Sequence, residues 1–197
     1  AEMFGTPAAL KERGVVPLYT GAGNTGWDGQ FYYYMSNDLL GRKDTPAHMD
    51  APSYRYQRVG LSLYAKAMAT LAGRDWVSPR LFFYSHFLLI FVATWVGSRL
   101  LARFGGNPAL ILLWSLSVGT QITLFNALPD ASADAFLILA LAALLSGRTA
   151  LSALPFALSA LSREVYVLFP AFILLFSLIE NVAARRRDLG LGGALAG

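Results

Sequence analysis

The sequence predicts an all-α fold: a polytopic transmembrane helix bundle with an outer-face N-terminal loop containing amphipathic interfacial helices. Three observations carry this. Hydrophobic residues make up 55% of the 197 and charged residues only 14%, against about 25% charged in an ordinary soluble domain. Mean hydropathy is +0.47. Twelve of the twenty-eight Asp, Glu, Lys and Arg side chains fall within residues 1–58, and beyond them come apolar runs with short polar breaks. The composition excludes disorder, a disulfide scaffold and an ordinary cytosolic enzyme. With no cysteine, thiol catalysis, iron–sulfur ligation and Cys-based zinc sites are excluded too. The net charge of +4 does not imply nucleic acid, because membrane proteins collect Lys and Arg in cytoplasmic loops.

Residues 1–58 read as a water-exposed arm, since no apolar run there is long enough to span a bilayer. Within it, Gly21-Ala-Gly23-Asn-Thr-Gly26 matches a dinucleotide-binding fingerprint. The match is weak without a strand before it and a helix after it, and a flexible turn is the better reading. Phe31-Tyr-Tyr-Tyr34 reads in part as an interfacial aromatic belt. In residues 58–74, Arg58, Ser62, Lys66, Thr70 and Arg74 recur every fourth position, with Leu61, Tyr64, Ala65, Met68, Leu71 and Ala72 opposite. That is an amphipathic helix with a basic stripe, expected to lie in the interface. A spanning helix would bury Lys66 at mid-membrane, which is costly.

The body, 81–188, reads as spans near 81–103, 108–129, 133–146, 149–162 and 164–183. The run 108–129 is uncharged, and Pro108 suits a first helical turn. The runs on either side of Gly147-Arg148 are short for a span and read better as a hairpin than as one helix with Arg148 at mid-depth. Residues 189–197 begin a further segment. His86, inside an apolar helix, reads as a packed side chain rather than a metal ligand.

The positive-inside rule puts Arg185-Arg186-Arg187 in the cytoplasm. Counting back, Arg148, Arg99 and Arg103 are also inside. Asp28, Asp130, Asp134, Arg163 and Glu164 then gather on the outer face with the arm. These are either solvated loop charges or a site, and the loops are short enough to hold them close together.

Trp27-Asp28-Gly29-Gln30-Phe31-Tyr32, then Asp50-Ala-Pro52-Ser-Tyr54-Arg55-Tyr56-Gln57-Arg58, then Leu161-Ser-Arg163-Glu164 resemble motifs of GT-C superfamily membrane glycosyltransferases. The similarity is to bacterial relatives of the GPI mannosyltransferases and extends along most of the chain as a layout. The resemblance implies transfer of a sugar from a polyprenyl-phosphate donor on the extracytoplasmic face of the bacterial inner membrane, with the arm periplasmic. Asp28 would be the general base or acceptor-orienting carboxylate. Asp130 or Asp134 would orient the acceptor or a divalent cation, the one cofactor the resemblance leaves open. Arg163 with Arg55 or Arg58 would neutralise the lipid phosphate, with Gln30 and Tyr54 in the same binding group and Glu164 fixing Arg163. For Arg55 and Arg58 the alternative is contact with lipid headgroups; for Arg163 and Glu164 it is a local ion pair. The chain is about half the usual length of that group. A second expectation therefore stands: a non-catalytic GT-C-like subunit packing against a larger membrane complex. Expected partners are the bilayer, a lipid-linked sugar and other membrane subunits, and no nucleic acid.

Overall fold

The computed structural model describes residues 4–15 and 28–188, with side chains up to Asn181. The Gly21–Gly26 motif, Trp27, the side chains of Arg185 to Arg187 and residues 189–197 lie outside the described residues. All regular structure among the described residues is helical. In chain order the helices are α1 (Ala8–Lys11), α2 (Gly29–Ser36), α3 (Pro52–Tyr56), α4 (Gly60–Leu71) and α5 (Pro79–Arg103). They continue with α6 (Ile111–Ser115), α7 (Val118–Phe125), α8 (Asp130–Leu145), α9 (Thr149–Ser162) and α10 (Leu168–Asp188).

Local chemistry sets these boundaries. Ser78 caps α5 by accepting from the Leu81 amide at 3.3 Å, with Pro79 next, a favoured start because proline has no amide to satisfy. Gly147 (φ +77) ends α8, with the Arg148 amide donating back to the Ala143 carbonyl at 2.9 Å. This left-handed stop makes α8 and α9 an antiparallel hairpin, as the Gly-Arg break suggests. The hairpin closes on small residues: Ala131, Ala133, Ala135 and Ala140 of α8 are buried, as are Ser152 and Ser159 of α9. The Ser159 hydroxyl donates to the Ala133 carbonyl at 2.8 Å. Small side chains permit this close backbone approach.

Two helices are long and apolar enough to cross a membrane: α5, and Glu164–Asn181, which takes in a 3-10 turn before α10. The expected uninterrupted span over 108–129 is instead broken, with Pro108–Ser115 and Val118–Phe125 meeting at 53°. Serine causes the break. Ser117 caps α7 by accepting from the Thr120 amide at 3.1 Å, and Gln121 donates to the freed Ser115 carbonyl at 2.7 Å. Counted as one bent span, the pair is a third stretch long and apolar enough to cross among the described residues. The 16 residues of α8 and 14 of α9 rise only ~24 and ~21 Å.

The arm is not a separate water-exposed piece. Phe31, Tyr32, Tyr33, Tyr34 and Met35 of α2 form one buried core with Leu10, Met49, Leu61, Ala65, Ala69, Val77 and Phe82. The aromatic run is therefore interior rather than an interfacial belt; Tyr32 is 1% exposed. Helix α4 joins the same core through Leu61, Ala65 and Ala69, and several positions of its polar stripe are taken up by contacts within the chain. Ser62 is buried and donates to the Tyr32 carbonyl at 2.7 Å, Arg58 is buried, and Lys66 donates to the Asp75 carbonyl. Apolar Leu63 and Leu71 face outward.

Candidate functional site

The ends of the helices differ in charge. One end carries Arg103, whose guanidinium donates to the Ser146 hydroxyl at 3.1 Å. The other end collects Asp28, Asp50, Arg55, Arg58, Asp130, Asp134, Arg163 and Glu164 through a chain of contacts.

Two glycines bring this end together. At Gly29 a Cβ would overlap the Asn126 carbonyl, so the first turn of α2 seats directly on the 126–127 loop. Asp28 is thereby held beside the segment leading into Asp130. At Gly60 a Cβ would overlap Ser162 and the Leu158 carbonyl, so α4 starts directly on the last turn of α9. Arg58 is thereby carried to Glu164.

Asp28 accepts from Arg55 Nη1 at 2.7 Å through Oδ2. The rest of the Arg55 fork is taken by Asp50, with Nε to Oδ1 at 2.9 Å and Nη2 to Oδ2 at 2.8 Å. This bidentate geometry is the strong form of the pair. It holds the Asp50 carboxyl below the ordinary carboxylate range, the Arg55 hydrogen bonds being the main cause. The same bonds push Arg55 above its usual value. Arg58 donates to both Glu164 oxygens, at 2.9 and 2.6 Å, which raises the Arg58 pKa. The half-exposed Tyr54 ring covers Arg58 at 4.3 Å and reaches Arg55 at 5.9 Å, and the Tyr32 hydroxyl adds to the hold on both guanidiniums. On α8, Asp130 pairs with Arg163. One turn on, Asp134 accepts from the Tyr166 hydroxyl and from Trp114 Nε1, the latter at 3.0 Å.

Three expected roles change in consequence. Arg55 and Arg58 were expected to meet lipid phosphate or headgroups; both are buried, with side chains 7% and 9% exposed, and carboxylates occupy their forks. Glu164 was expected to fix Arg163; it is held by Arg58, while Arg163 turns to Asp130. Gln30 sits half-buried in the first turn of α2. Sequence reasoning placed Asp50 and Tyr32 in motifs without giving them a role, and missed Trp114 and Tyr166. For Asp50, its place five residues before Arg55 across Pro52 was an available signal.

The open groups are specific. The Asp28 side chain is 53% exposed, and its Oδ1 makes no hydrogen bond among the described residues. The Glu164 side chain is 57% exposed and that of Arg163 33%. Five carboxylates face three guanidiniums here, a local excess of negative charge suited to accepting a proton from a neutral hydroxyl. Among the described residues no group of three or more His, Cys, Asp or Glu is placed to hold a metal ion. No protein-family model matches the chain, and neither a curated protein nor a solved structure matches it.

Proposed function

We propose that this chain acts as a membrane glycosyltransferase that moves a sugar from a polyprenyl-phosphate donor on the face bearing Asp28. One observation carries the reading: Asp28, with one oxygen open, lies at the same end as Asp130, Asp134 and the partly open Arg163. In the proposed reaction an acceptor hydroxyl attacks the sugar's anomeric carbon and passes its proton to Asp28 Oδ1. The bond from that carbon to the phosphate oxygen breaks, and polyprenyl phosphate leaves with the electron pair. Arg163, whose remaining N–H groups have no partner among the described residues, meets the leaving phosphate. Arg55 acts through Asp28 as a positioning residue.

Orientation follows from charge. With Arg99, Arg103 and Arg148 cytoplasmic, the Asp28 end faces the periplasm in a bacterial inner membrane. The test uses the full gene product in proteoliposomes, with a panel of radiolabelled polyprenyl-phosphate hexoses. Transfer by the wild type should fall by about 100-fold or more in Asp28→Asn, with the thermal transition unchanged. Undiminished transfer in that variant would exclude Asp28 as the base.

A second reading, a non-catalytic subunit of a larger complex, is favoured by a different observation. The stretch Glu164–Asn181 has none of its residues buried within this chain. A wild type inactive on the whole panel, with cysteines along α10 cross-linking to another membrane protein, would select this reading.

A further inference from the structure

Away from the acid cluster, a groove of about 600 Å³ opens between α4 and α5 and shares no residue with it. Its rim is basic: Arg74 follows α4, and Arg80 lies in the first turn of α5. Neither guanidinium has a hydrogen bond or ion pair among the described residues. The adjacent acid, Asp75, is bridged to Arg13 at 3.3 Å instead. Arg80 also sits where the helix dipole is positive, the wrong sign for a cation. An anion bound there would offset both charges. Ser78, the α5 cap, adds a hydroxyl to the rim.

Below the rim the walls are apolar, from Met68 on α4 and Leu81 and Leu88 on α5. The lining continues down α5 as an exposed stripe: Tyr84, Leu88, Phe91 and Trp95 are 64%, 42%, 62% and 61% exposed. Their spacing of four, three and four keeps them on one helix face. From Arg80 to Trp95 the helix rises ~22 Å, and α5 is long and apolar enough to cross a membrane. A basic rim over a long apolar wall complements an anionic head joined to hydrocarbon chains.

We propose that this groove binds an anionic phospholipid of the surrounding bilayer, its phosphate between Arg74 and Arg80 and its chains along Tyr84–Trp95. Native mass spectrometry of the full gene product, released from nanodiscs containing phosphatidylglycerol and phosphatidylcholine, tests this. The wild type should retain phosphatidylglycerol about tenfold over phosphatidylcholine. Arg74→Gln/Arg80→Gln should lose that preference, and Arg99→Gln/Arg148→Gln at the opposite end should keep it. Leu88→Glu, which leaves both arginines in place, should lose it as well. Retention by either groove variant overturns the proposal, as does equal binding of free glycerol 3-phosphate. So does a second copy of the chain, or another protein, held in place of lipid through the same arginines.

Discussion

At the Asp130 end of the helices, each of the five clustered carboxylates meets a donor reaching it from another element or across a loop. The partners lie 27 positions away for Asp28, 106 for Glu164 and 33 for Asp130. At the Ser146 end, the contact between Arg103 and Ser146 is the one polar link tying Arg99, Arg103 or Arg148 to a side chain among the described residues. The difference separates two uses of charge. Cations at the Ser146 end stand with little tertiary support, as charges that serve membrane topology can. The Asp130 end exists only when the tertiary fold is complete, with two glycines setting its spacing.

Breaking the pair between Arg58 and Glu164 tests this most sharply, and the two halves should differ. Glu164→Ala strands a buried guanidinium and should cost about 3 kcal/mol. Arg58→Met leaves only a half-exposed carboxylate and should cost about 1 kcal/mol. Thermal unfolding in detergent reads both, and equal losses would show that burial does not govern the pair. Gly60→Ala, which forces α4 off the end of α9, should cost about 2 kcal/mol. A double variant with Glu164→Ala should then lose less than the sum, since both changes undo one contact.

Acid provides a gentler lever. The folded Asp50 carboxyl titrates below its unfolded value near 4. Its contribution is therefore complete above about pH 4 and is lost as pH falls through the lower folded value. Asp50→Asn should flatten that part of the acid limb of a melting-temperature profile; an unchanged limb would remove Asp50 from the network. Arg99→Gln/Arg148→Gln should be the mildest, shifting stability by less than about 0.5 kcal/mol. A larger loss would show that the Ser146 end is also built by tertiary contacts.

Much of the helical plan was legible in the sequence because it depends on near neighbours. The 25 residues of α5 announce themselves by an apolar run behind Ser78-Pro79, and the hairpin by Gly147-Arg148. The break at Ser117 was missed because hydropathy averages over it. The signal was Ser115-Leu-Ser117-Val-Gly-Thr120-Gln121, a cluster able to cap one helix and satisfy the end of another. Periodicity could not tell that Phe31 to Tyr34 turn inward, because a helix aromatic over a full turn has no polar face to orient it. For the site, Asp28, the 130–134 acids and Arg163 could be put at one end by counting crossings. Which acid meets which arginine could not be read, since the pairing of Arg58 with Glu164 depends on the bare surface of Gly60.

The shortness of α8 and α9 has a consequence for the bilayer itself. Against ~30 Å of hydrocarbon, helices of ~24 and ~21 Å leave a mismatch of roughly 6 to 9 Å. A membrane accommodates such a mismatch by thinning locally, at a modest cost per ångström. If the hairpin sits in the bilayer beside the longer helices, headgroups around it would dip toward Asp130 and Arg163 and form a shallow depression beside the acid cluster. On the glycosyltransferase reading proposed above, the lipid-linked donor would then approach by sliding sideways within its own leaflet, with its polar head already at the depth of the carboxylates.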